Sequence, residues 1–162
     1  MVLLASMLAA SAVGATDAGS TKPGVRVLEP EIDRTFDVVR VFERWDSVFP
    51  DAEERLLLSQ GRTLLVSVFP QRTNDELISW VDIASAEPGG ELYDDIVRWA
   101  DRLDPYEGQI YVTFAHEPEA NKNIPLGSAA EFRAAWNNVM TVFETEGLST
   151  LGRLFVMTSS AW

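Results

Sequence analysis

Ile110-Tyr111-Val112-Thr113-Phe114-Ala115-His116-Glu117-Pro118-Glu119 is the stretch on which the reading of the fold turns. Its first five residues are β-branched or aromatic and form a short apolar run, the pattern of a buried strand. Pro118 cannot continue a ladder, so the run has a defined end. At that end stand two titratable groups, His116 and Glu117, with Glu119 and Asn121 just beyond. A buried strand that delivers such a pair at its carboxyl end is the arrangement expected of an active site on a parallel α/β scaffold.

The flanks support that scaffold. Upstream, Glu91 to Leu103 places Leu92, Ile96, Trp99, Ala100 and Leu103 on one face of a helix, and Asp104 to Gly108 is a turn. Downstream, Lys122 to Gly127 reads as a loop. Ser128 and Glu131 form a capping box that opens a helix to about Glu146, with Phe132, Trp136, Val139 and Phe143 as its inner stripe. Arg153 to Ser159 is the last strand. Toward the start, Val25 to Leu28 reads as a weak strand closed by Pro30, and Phe36 to Phe42 as a strand with Trp45 just past its end. Asp51 caps a helix to Gln60 that Gly61 stops, and Thr63 to Phe69 is the next strand. Gln71 to Gly90 holds no clean period and reads as a long loop with a helical turn, on the edge that carries His116. Strands and helices alternate, which implies a parallel sheet wound with helices. Apolar runs of this kind are expected where both faces of a sheet are covered.

Composition narrows the function. The chain has 162 residues, 46% of them hydrophobic, enough for one packed domain. A net charge of −12 argues against nucleic acid and anionic membrane surfaces, which select basic patches. Without cysteine there is no thiolate metal site, and a single histidine excludes multi-histidine centres, so neither a metal nor a cofactor is expected. No glycine-rich loop opens a helix, which removes weight from a nucleotide fold. Residues 1–15 are small or apolar and resemble the apolar part of a secretion signal that lacks its basic start. A buried helix is the other reading of that segment. Residues 16–23 read as a linker, leaving 24–162 as the domain.

Several stretches together resemble glycoside hydrolase family 26. They are V-T-F-A-H-E-P-E, the helix E-F-R-A-A-W-N-N-V-M-T-V-F, the strand L-F-V-M-T-S-S-A-W, and F-D-V-V-R-V-F-E-R-W followed by L-L-V-S-V-F-P. The similarity runs from about Phe36 to Trp162. Thr113 stands where that family often has arginine, and Pro118 and Glu119 where it often has methionine and asparagine. The resemblance implies a (β/α)8 barrel that cleaves β-1,4-linked polysaccharide, mostly mannan, with retention. It implies that Glu117, at the end of a fourth strand, is the acid/base carboxyl. The nucleophile would follow a seventh strand, beyond this chain. A retaining site needs the two carboxyl groups about 5–5.5 Å apart, and a whole barrel takes about 250 residues. The expectation is therefore a partial barrel of about five parallel strands, which pairs with another chain to close or is a truncated fragment.

Within that frame Glu117 would need a raised pKa, which an apolar pocket supplies. His116 would hydrogen-bond a sugar hydroxyl or orient the nucleophile, or be a satisfied histidine at a strand end. Trp162 and Trp45, both following strands, would stack on sugar rings or be ordinary structural residues, the two readings being equal for Trp45. Asn121 would bind a hydroxyl or be an ordinary loop residue. Trp99 and Trp136 are expected in the core. The rival reading, from another class, is a non-catalytic carbohydrate-binding or interaction module that keeps the cleft.

Overall fold

The computed structural model describes residues 22–157. It is an α/β structure with one four-stranded, all-parallel sheet in the order β1-β2-β3-β4. The elements are α1 (Lys22–Ile32), β1 (Val38–Arg44), α2 (Ala52–Ser59), β2 (Thr63–Phe69), α3 (Trp80–Ala84), α4 (Glu91–Leu103), β3 (Ile110–Phe114), α5 (Ala129–Thr145) and β4 (Gly152–Arg153). Short 3-10 helices occupy Asp104–Tyr106 and Asn121–Leu126. Each strand pairs with its successor in the chain. Among the described strands the order never reverses, so they show no switch point of the doubly wound kind.

Local chemistry explains most boundaries. Asp51 accepts hydrogen bonds from the backbone N–H groups of Glu53 and Glu54, while Glu54 accepts from the Asp51 N–H, a complete capping box. Ser128 and Glu131 do the same for α5. Ser79 caps α3, a single turn inside the expected long loop, which brings Trp80 into the core against Phe114 and Phe132.

Register then sorts the strand side chains. On one face lie Val39, Val41, Leu64, Val66, Val68, Ile110, Val112 and Phe114, all buried. Val68, Val112 and Phe114 meet Ile96 and Trp99 of α4 and Val139 and Phe143 of α5. On the other face lie Val38, Arg40, Phe42, Leu65, Ser67, Phe69, Tyr111 and Thr113. No described helix makes this second face its core: Val38 and Tyr111 are 52% and 45% exposed. Cover on both faces was the expectation; among the described residues the helical core is on one.

Three expectations need correction. Val25 to Leu28 is helical, part of α1, not a strand. Val25 and Leu28, three apart, are partly buried, whereas Val27 is 61% exposed, so burial follows the helical spacing rather than alternation. The sheet therefore has four described strands instead of about five, and Glu117 follows the third of them, not a fourth. The last strand is assigned only over Gly152–Arg153. The Leu154 N–H still donates to Val112 O (2.8 Å) and the Glu117 N–H to Val156 O (2.8 Å), so the segment keeps running beside β3. Residues 158 and 159, which were expected to finish that strand, lie outside the described residues.

Gly152 is required by a close approach. A Cβ there would stand 2.3 Å from Cδ1 of Tyr111, its partner in the register. Gly152→Val is expected to push the Tyr111 ring aside and cost about 1–3 kcal/mol. Urea unfolding checks this; an unchanged midpoint would mean that the ring yields freely.

Candidate functional site

The carboxyl end of β3 is built from an unusual backbone. Ala115 and Glu117 both have left-handed φ, 50° and 54°, on either side of His116. Non-glycine residues held there cost about 1–3 kcal/mol each and persist only where neighbours over-determine them. Here the neighbours do. The Ala115 N–H donates to Val68 O (2.8 Å) and the Glu117 N–H to Val156 O (2.8 Å). Glu117 O accepts from the Ala120 N–H (3.0 Å), which closes a turn over Pro118, and from Asn123 Nδ2 (2.7 Å). Asn123 is fully buried, so this bond fixes the loop after β3 from within.

Around that backbone sit the side chains of Glu117, Lys122, His116, Arg40 and Ser67. The Glu117 carboxylate is 3.7 Å from Lys122 Nζ, with the Glu117 side chain 32% exposed. The His116 ring meets Phe42 edge-on at 5.0 Å and Phe69 at 6.0 Å, so it lies with the second face of the sheet. Arg40, on the same face, donates from Nε to Ser67 Oγ (3.0 Å) and stacks on Phe42. Burial pulls the Arg40 pKa down while the nearby Glu117 carboxylate pushes it back up. Burial also lowers His116, and Arg40 and Lys122 push the same way against Glu117, bringing it to about 4. The imidazole is therefore neutral at neutral pH.

That has a measurable consequence for folding. Above about pH 6.5 neither the folded nor the unfolded imidazole is charged, and no penalty exists. As pH falls from 6.5 toward 4 the unfolded chain binds a proton that the folded one refuses, so stability drops. After allowance for solvent screening the loss is about 1–2 kcal/mol. His116→Leu removes it, so the difference in unfolding free energy between the two proteins changes over that window and is flat above it. A difference independent of pH would show an ordinary histidine.

The residues singled out in the sequence separate here. Glu117 and His116 share the carboxyl end of β3 with Arg40, Ser67, Phe42 and Phe69. Asn121 is exposed and opens the 3-10 helix that carries Lys122 and Asn123. Trp162 lies outside the described residues. Trp45 needs correction: it is 2% exposed, its indole N–H donates to Asp95 (2.9 Å), and its ring packs on Phe114. It offers no face to a sugar. The reason is parity, since residue 45 shares the helix-side face with Val39 and Val41. The aromatics beside His116 on the site's face are Phe42 and Phe69.

Arg40 and Ser67 went unnoticed in the sequence, although each is a polar residue inside an apolar strand and the register puts both on one face with Thr113. Asn123 carried no such signal. Among the described residues no group of three or more His, Cys, Asp and Glu side chains is placed to hold a metal ion, and no helix is long and apolar enough to cross a membrane. Neither a scan against protein-family models nor a search of curated proteins finds a match to this chain.

Proposed function

We propose that this chain is the part of a retaining β-1,4-glycanase barrel, of the mannan-cleaving type, that carries its acid/base carboxyl. In this reading the parallel strands are the early βα units of a (β/α)8 barrel, and their second face is its interior. Glu117 protonates the glycosidic oxygen as it leaves and then deprotonates water. The nucleophilic carboxylate, about 5–5.5 Å away in the assembled site, comes from a strand outside this chain. Neutral His116 offers a hydrogen bond to a sugar hydroxyl. The protein acts outside the cell, with residues 1–15 as its export signal.

The observation that carries the proposal is the Glu117 peptide: a left-handed backbone at the mouth of a parallel strand, tied by hydrogen bonds at both its N–H and its C=O. Strain of that kind clusters at functional sites. The sequential strand order, with the helical core on one face, is the winding that a (β/α) barrel uses.

A second reading is favoured by the exposure of Val38 and Tyr111, because the interior of a finished barrel is filled by side chains. It makes the chain a non-catalytic carbohydrate-binding or interaction module. One experiment separates the two. Reducing-end release from β-1,4-mannan is measured for this chain alone and mixed with a β-mannanase half-barrel that carries a nucleophile strand. Release in the mixture supports the proposal. Retention on mannan in affinity electrophoresis, without release in either sample, supports the binding module.

A further inference from the structure

The Phe42 ring has two polar neighbours. Arg40 Cζ lies 4.5 Å from its centroid, and the guanidinium is held in place by the Nε–H bond to Ser67 Oγ at 3.0 Å. His116 meets the same ring edge-on at 5.0 Å, while Phe69 flanks the imidazole at 6.0 Å. His116 Nδ1 is buried and makes no hydrogen bond among the described residues. The side chains of Ser67 and Thr113 on the same face are fully buried.

We infer that Arg40 is a positioning residue for His116: anchored by Ser67 and stacked on Phe42, it holds a fixed positive charge one aromatic layer from the imidazole and keeps that imidazole an uncharged hydrogen-bonding group. A guanidinium suits this task because it stays charged when partly buried and lies flat on a ring. A second cation beside it, in a site walled by Phe42 and Phe69, is disfavoured both by repulsion and by desolvation. Lys122, in the following 3-10 helix, acts in the same sense, but its side chain is 58% exposed and its charge is screened. Glu117, next in the chain, opposes both. The lowered pKa of His116 has burial as its first cause, then Arg40, then Lys122.

A neutral imidazole gives no ion pair to a carboxylate or phosphate, so the inference makes His116 a hydrogen-bonding group alone toward any ligand across the neutral range. It stands or falls separately from the assignment of Glu117, because it concerns the protonation of a different group.

The test uses a convenience of composition: the chain contains one histidine, so its imidazole resonances in NMR need no assignment. In the full chain His116 is expected to titrate near 4. In Arg40→Met it is expected to rise by about one unit or more toward the ordinary value, while Arg40→Lys, which keeps the charge, leaves it low. Lys122→Met shifts it less than Arg40→Met. A wild-type value near 6.5, or an unmoved value in a folded Arg40→Met variant, overturns the inference. Should Arg40→Met fail to fold, Lys122→Met decides: a return to the ordinary range there assigns the effect to Lys122 and overturns it equally.

Discussion

Asp95→Ala is expected to remove about 3–5 kcal/mol of folding stability. Asp95 is 4% exposed on α4, and its carboxylate gathers three donors from different parts of the chain. Trp45 donates its indole N–H (2.9 Å), Arg72 its guanidinium (2.8 Å), and Arg98, one turn along the helix, completes the set. Removing the carboxylate strands the Trp45 N–H inside the core and leaves the buried end of Arg72 without its short partner. Arg72 also anchors the loop after β2, whose carbonyls at Arg72 and Thr73 accept from Arg44. The loss should therefore loosen that loop as well. Asp95→Asn retains an acceptor for the indole and is expected to cost about half as much. Glu91→Gln is the control. It touches the same Arg72 at 3.0 Å, but its side chain is 78% exposed, so its contribution is within about 1 kcal/mol. Urea unfolding with matched m-values ranks the three; equal costs for Asp95→Ala and Glu91→Gln would sink the argument that burial makes the difference.

The elements that could be read from the sequence are those in which local and long-range preferences agree. Thr63–Phe69, Ile110–Phe114 and Glu91–Leu103 have the expected ends, and both capping boxes close as their S/D-x-x-E spacing requires. The misreading of Val25 to Leu28 comes from a window too short to separate period 2 from period 3.6. Val25-Arg26-Val27-Leu28 satisfies both, and the ion pair of Glu29 with Arg62 (2.5 Å) helps settle the segment as helix. At β1 the Phe36 N–H is taken by the Glu29 carboxylate (2.7 Å), which moves the strand start to Val38. Trp45 falls on the helix side wherever the strand starts, because it shares its parity with Val39 and Val41. The candidate site was half legible. His116 and Glu117 stand out as titratable groups after an apolar run. Arg40 and Ser67 act only through the pairing of strands 27 residues apart, and Asn123 only through a bond made once the loop has folded.

Glu117→Gln is expected to lower reducing-end release from β-1,4-mannan by about 10²–10⁴-fold in the assembled barrel, the range that a positioned acid/base supplies. Glutamine is the informative replacement because it changes one property. It keeps the length of the side chain and its place beside Lys122, and it bears the same left-handed backbone cost as glutamate. Folding stability should therefore change little, and lost activity reports lost proton transfer. Glycine at the same position would relieve the strained φ and confound the two. The leaving group supplies the second discriminant. An aryl glycoside whose phenol departs without protonation bypasses the acid step, so Glu117→Gln should spare its first-step cleavage while blocking that of mannan. Glu119→Gln, two residues on and past Pro118, should retain mannan cleavage within a few-fold. If Glu117→Gln and Glu119→Gln lose mannan cleavage alike, or if the aryl substrate suffers as much as the polymer, Glu117 is holding the loop together and not handling the proton.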